Sequence, residues 1–192
     1  MSESFQLTKV EAAQRQLSLA IRMLFAGEDP VAVHTLAGAA SIILTDLVER
    51  LAPERSWDRM AQEDSNLKPN QYFQIVRKAQ NYLKHARDDH VDVLVFDPND
   101  TEALIMMAVM NASELVPMSI EAQVFQLWYL SAKYPSECAG EPPFSEAIAL
   151  FGDLRETPRA ERLRLGAQCL VQASEIGPNF SLSGRVEARR ST

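Results

Sequence analysis

The chain has 192 residues, 46% of them hydrophobic and 23% charged, with 7 Gly and a net charge of −7. That length carries one domain with a sizeable core, and the scarcity of Gly beside abundant Ala, Leu, Gln, Glu and Arg points away from turn-rich all-β architecture and towards helix. The acidic balance excludes non-specific nucleic-acid binding by the surface as a whole.

The start, "MSESFQLTKVEAAQ", lacks a basic segment followed by an apolar one, so no secretory signal is read there and a cytoplasmic location is expected. From Leu7 to Ala26 the apolar residues follow the three-and-four spacing of an amphipathic helix. "GEDP" ends it: Gly27 suits a C-terminal cap, Asp29 the N-cap of a second helix and Pro30 its first turn. The short link predicts an antiparallel hairpin. The second helix, Pro30 to Leu51, holds the apolar stretch "VAVHTLAGAASIILT"; at 15 residues with a His inside, it reads as a buried core helix and no membrane span is expected.

A polar, Pro-bounded connection follows, with one short helical turn over Trp57 to Gln62. The third helix is predicted from Pro69 to Arg87, with Phe73, Val76, Ala79 and Leu83 on its buried side. In residues 91–96, Val91, Val93 and Val95 alternate with Asp92, Leu94 and Phe96, the pattern of one short extended segment. Asp100 or Thr101 caps a fourth helix, "TEALIMMAVMNASELV". The fifth, "SIEAQVFQLWYLSAKY", carries Phe125, Trp128, Tyr129 and Tyr134 as packing anchors. "FSEAIALFGDLR" and "PRAERLRLGAQCLVQASE" give two more. The expectation is an all-α bundle of six or seven helices around an antiparallel core, one domain over residues 1–176 with a partly ordered basic tail over 177–192. Residues 155 to 192 hold seven Arg against four Glu, read as a solvated helix face plus a loose terminus.

Chemistry, if there is any, concentrates in "QNYLKHARDDH", residues 80 to 90. On one continuous helix Arg77, Asn81, Lys84 and Asp88 form a stripe, with His85 one step round. His34 sits on an otherwise apolar helix, where an unpartnered polar group costs about 1–3 kcal/mol, so it needs a partner. These residues predict a ligand-binding groove of His34, Thr35, Asn81, Lys84 and His85 between helices, taking a small anion or a protein partner. The bland alternative is a solvent-exposed face laced with ion pairs such as Lys84 with Asp88. His85 and Asp89 are four apart and could chelate with His34 as a third ligand, but no HExxH, ExxH pair or Cys ligand supports it, so neither metal nor other cofactor is expected. Cys138 and Cys169 stand in no metal-ligand spacing and read as free thiols. A homodimer through the fifth helix or the Met106, Met107, Met110 face stays open, with core packing the commoner role for those methionines.

The pairing of "DPVAVHTLAGAASIILTDL" with "AQNYLKHARDDHVDVLVFDP" resembles a group of uncharacterised bacterial all-α proteins with a His-Thr-Leu-Ala helix and an Asn-aromatic-apolar-Lys-His-Ala helix end, over about residues 9 to 130. The layout is also similar to HEPN domains, many of which are metal-independent ribonucleases. That second resemblance implies, as the alternative function, an RNA-binding or RNA-cleaving protein with His85, Arg77 and Lys84 as its catalytic candidates. The chain departs from the HEPN spacing: Arg77 precedes His85 with seven residues between, and Arg87 precedes His90 with two. The leading expectation is a non-enzymatic binding or interaction module.

Overall fold

Local signals start and stop the first two helices as expected. Thr8 opens α1 with a capping box, its amide donating to Glu11 Oε2 at 2.8 Å and its hydroxyl accepting from the Glu11 amide at 3.2 Å. In the computed structural model, which describes residues 4–85, 91–134 and 140–176, α1 is Lys9–Phe25. Gly27, at φ 71°, ends it in the left-handed region that a side chain would resist, and the Glu28 amide donates back to the Met23 carbonyl. Asp29 then accepts from the Val31 and Ala32 amides, and α2 runs Pro30–Leu51.

The remaining elements are a 3₁₀ turn at Pro53–Arg55, α3 (Trp57–Asp64), α4 (Pro69–Val76), α5 (Lys78–Lys84), α6 (Pro98–Ser113), α7 (Ile120–Lys133), α8 (Phe144–Phe151) and α9 (Arg159–Ile176). The chain is all-α, with no strand among the described residues. Among the described residues nine helices stand where six or seven were expected, for two reasons. The turn at Trp57 grows into the eight-residue α3, capped by the Ser56 hydroxyl on the Arg59 amide. The third predicted helix breaks at Arg77, whose φ −101°, ψ 6° places it in the bridge region between α4 and α5. Its buried residues are Tyr72 and Gln80, whereas Val76 is exposed and Phe73 half-buried. Residues 91–96 are extended without strand pairing: Val91, Val93 and Val95 are exposed, and Leu94 and Phe96 turn inward to half-burial.

The N-cap of α6 is Asp97, which accepts from the Asn99 amide at 2.8 Å, and not Asp100 or Thr101. Pro98 takes the first helical position because its fixed φ is already helical, which repeats the Asp29–Pro30 start of α2.

The chain divides into two compact units, one of Met1–Ala20 and Asp29–Pro117, the other of Ile21–Glu28 and Met118–Thr192. The first is centred on α2 against α6. His34 meets Thr101 and, eleven residues on, Thr45 meets Asn111, so α2 and α6 run parallel. The antiparallel core expected of short links does not form there, because α3, α4, α5 and the extended segment carry the chain back before α6 begins. α2 is long and apolar enough by composition to cross a membrane, but half of that stretch is buried within the protein.

In the second unit, Phe25 packs against Phe125 (centroids 6.2 Å apart) and edge-on to Trp128 (5.4 Å). Trp128 Nε1–H donates to the Arg162 carbonyl at 2.7 Å, tying α7 to α9, and the Ser131 hydroxyl donates to the Gly152 carbonyl at 2.5 Å, tying α7 to the end of α8. Phe125 and Trp128 are therefore the packing anchors expected of them, whereas Tyr134 is exposed. Arg155 pairs with Asp153 and Arg164 with Glu161, so two of the expected basic residues are neutralised locally. Cys169 is buried and forms no disulfide among the described residues. Cys138, Arg87, Asp88, Asp89, His90 and the tail 177–192 lie outside the described residues.

Candidate functional site

The first unit encloses a cavity of about 430 Å³. α2 contributes His34 and Ser41 to its wall, α3 contributes Asp58, and α4 with the start of α5 contributes Tyr72, Ile75, Arg77 and Lys78. The extended segment supplies Leu94, Val95 and Phe96, and α6 supplies Asp100, Ala103, Leu104 and Met107. The period-two alternation of residues 91–96 explains this wall: it turns Leu94 and Phe96 inward while Val91 and Val93 face water.

His34 is the most informative residue of the wall. It is 2% exposed, and its Nδ1 lies 3.0 Å from the Thr101 hydroxyl of α6. The Phe96 ring stands edge-to-face against the imidazole, centroids 5.3 Å apart. Burial lowers the imidazole pKa, outweighing the opposite pull of the Asp100 carboxylate, so His34 is neutral near pH 7. Its Nε2 is closed to water and has no hydrogen-bond partner among the described residues. The partner that its place on an apolar helix demands is therefore found for one ring nitrogen and missing for the other.

The expected groove residues separate. Thr35 is exposed and donates its hydroxyl to the Val31 carbonyl one turn back on α2. Asn81, Lys84 and His85 are exposed and do not line the cavity, whereas Arg77 does. The helix break at Arg77 is the cause, since it removes the continuous register that would have put Arg77, Asn81 and Lys84 on one stripe. The Arg77 guanidinium lies over the Phe73 ring, 4.3 Å from its centroid. Its charge, with partial burial as the larger cause, lowers the Lys84 pKa. Among the described residues no group of three or more His, Cys, Asp or Glu is placed to hold a metal ion.

Two features escaped the sequence reading. The first is Asp58, 4% exposed, which accepts from the Thr45 hydroxyl at 2.7 Å, Asn111 Nδ2 at 2.8 Å and the Tyr72 hydroxyl at 3.3 Å. Its position in the first turn of α3 adds the favourable end of the helix dipole. Burial, with the Asp58 charge beside it, pushes the Tyr72 phenol well above its ordinary range, so it stays a donor. Asn111 Oδ1 accepts from the Trp57 amide, which fixes the start of α3 on α6. The second is Gln80, 1% exposed, whose amide nitrogen and oxygen both lack partners among the described residues. It rests on Gly38: a Cβ built there would stand 2.5 Å from Gln80 Nε2. A polar residue inside an apolar run, the signal that picked out His34, also marks Thr45 and Asn111.

No protein-family model, curated protein or solved structure matches the chain.

Proposed function

We propose that the protein is a non-enzymatic binding module that takes a small molecule into the cavity of its first unit. The observation that carries this reading is a cavity of about 430 Å³, within the range of small-molecule sites, with mostly apolar walls and a few polar side chains set among them. Apolar walls supply affinity through burial, and the few polar side chains set among them, such as Ser41, Arg77 and Asp100, supply orientation.

Acid–base cleavage of RNA needs a histidine and a phosphate-holding cation on one accessible surface. Arg77 is on the cavity wall, but His85 is exposed and away from it, and the histidine of the wall is buried. That separation favours binding over the ribonuclease alternative. Incubating the protein with mixed RNA, with and without EDTA, beside His85→Ala, tests the alternative: no cleavage by the native protein removes it.

The binding reading is tested by saturation-transfer NMR against a library of small aromatic and aliphatic fragments, beside Ala103→Phe. Ala103 is exposed and on the wall, so the larger ring fills the cavity without entering the core. Several fragments are expected to bind the native protein and to lose most of their signal with the folded variant. Equal binding by both places the ligands elsewhere and refutes the reading.

A further inference from the structure

The charged side chains of the cavity wall select among ligands, and the inference rests on the binding reading above. Besides His34 and Tyr72, the ionisable residues of the wall are Asp58, Arg77, Lys78 and Asp100. They are not equivalent. The Asp58 carboxylate is buried and accepts from Thr45, Asn111 and Tyr72, so the protein's own neutral donors already satisfy it. Asp100 stands at the His34 end, where burial lowers the imidazole pKa and the Asp100 charge opposes it. Arg77 is half-buried at the break between α4 and α5, and its contact with the Phe73 ring takes up none of its five N–H donors. Among the described residues it enters no hydrogen bond and no ion pair, whereas Arg22, Arg55, Arg59, Arg155 and Arg164 each hold a carboxylate.

The Arg77 charge is accordingly felt by its neighbours. At Lys84 it adds to burial in lowering the pKa, and at Tyr72 it works against the rise that burial and Asp58 produce. Tyr72 is itself a wall residue, so the positive potential reaches the cavity. Lys78, next in sequence, also lines the wall, is exposed and enters no ion pair among the described residues. The two signs occupy different stretches of the wall. α4 and α5 run opposite to α2, since Tyr72 reaches Asp58 on Thr45 whereas Gln80 lies on Gly38. Residue 77 falls between those levels, and Asp100 stands at the level of His34, a further turn beyond Gly38. On α6, Leu104 and Met107 follow Asp100 at spacings of four and three, an apolar stripe leading away from the acidic end.

A planar guanidinium matches a carboxylate with two parallel N–H···O bonds, which replace the water that the anion gives up on entry. We infer that the cavity binds an amphipathic carboxylate, its two oxygens accepting from the Arg77 guanidinium with Lys78 beside it, and its apolar body lying along Leu94, Phe96, Leu104 and Met107. A cationic head group would meet the unpaired Arg77 charge and be repelled. The wall balances two cations against two carboxylates, which suits a monoanion better than a dianionic phosphate. Half-buried Arg77 and exposed Lys78 put the head group where solvent already reaches.

Three probes with the same chain length and different head groups test this: octanoate, octanamide and octylammonium, titrated at neutral pH into the native protein labelled with ¹⁵N. Octanoate is expected to bind about tenfold more tightly than octanamide and to shift the Arg77 Nε–H resonance, and octylammonium to bind more weakly than either. Arg77→Met keeps an apolar stem and removes no hydrogen bond among the described residues; it is expected to bring octanoate down to the level of octanamide, with octanamide unchanged. Arg77→Lys, which keeps the charge and loses the fork, is expected to recover only part of the difference. If a variant does not fold, the order of affinities for the native protein and its Arg77 resonance decide. Equal binding of octanoate and octanamide leaves the cavity a binding site but overturns the carboxylate, and so does octanoate binding that Arg77→Met leaves unchanged. The tightest binding by octylammonium overturns it in favour of Asp100 as the head-group site. Failure of all three to bind overturns it as well, and the fragment screen beside Ala103→Phe then decides the binding reading by itself.

Discussion

Substituting Gly38 by Ala sets two effects of opposite sign against each other, and the packing of α5 on α2 decides which wins. In a helix interior Ala is better than Gly by about 1 kcal/mol, so on an unobstructed face the change would stabilise. At position 38 the added methyl would lie 2.5 Å from Gln80 Nε2, 2.7 Å from Cδ and 2.9 Å from Cγ. Ordinary contacts between such atoms are about 3.5–4.0 Å, so roughly 1 Å of overlap must be relieved. Gln80 is 1% exposed and cannot swing into water, which makes this overpacking, at a typical cost of about 1–3 kcal/mol. The net expectation is a loss of about 1 kcal/mol. In a Gln80→Ala background the obstruction is gone, and the same Gly38→Ala change is expected to stabilise by about 1 kcal/mol. Urea unfolding of the four proteins, followed by far-UV circular dichroism, gives the coupling directly as a double-mutant cycle of about 2 kcal/mol. Stabilisation by Gly38→Ala in the native background would falsify the placement of Gln80 on α2.

Other substitutions probe separate parts of the two units. Gly166→Ala of α9 would place its Cβ 2.3 Å from Cε1 of Phe25, a ring boxed in by Phe125 and Trp128; a thermal melt should show a loss of about 2–3 kcal/mol, and a gain would show that Phe25 does not pack there. Asp58→Ala strands the buried Thr45, Asn111 and Tyr72 donors and is expected to cost about 3 kcal/mol or more in urea unfolding; a cost below about 1 kcal/mol would mean that water satisfies them as well as the carboxylate does. His34 titrates below the ordinary imidazole value in the folded chain, so below about pH 6.5 the unfolded chain binds a proton that the folded one refuses. Its contribution is present in full above that pH and is lost as the pH falls towards the lowered folded value, with a slope of up to about 1.4 kcal/mol per pH unit. Stability measured between pH 5.5 and 7.5 should therefore drop on acidification in the native protein and much less in His34→Phe; equal slopes would place the titrating group elsewhere.

What the sequence disclosed and what it hid follow one division, between signals that act within a few residues and contacts that do not. Gly27, Asp29 and Pro30 state the end of α1 and the start of α2 because a left-handed residue, a capping carboxylate and a fixed φ act locally. The same Asp-Pro pair recurs at Asp97 and Pro98, where it stands ahead of the apolar run of α6 instead of directly beside it. The break at Arg77 carries no Gly or Pro. It separates Tyr72, whose hydroxyl reaches Asp58, from Gln80, which lies on Gly38, and both of those partners are set by tertiary packing. A continuous 3.6-residue register through position 77 therefore joined Arg77 to Asn81 and Lys84, whereas the folded chain gives Arg77 to the cavity and leaves the other two exposed. His34 shows the division within one side chain. That a polar group on an apolar helix needs a partner is a local inference, and it identified the residue. That the partner is Thr101, brought alongside by a parallel α6 after three intervening helices, is not local, and neither is the Nε2 atom left over. The candidate site consists largely of such leftovers, which is why its members were legible one at a time and their assembly was not.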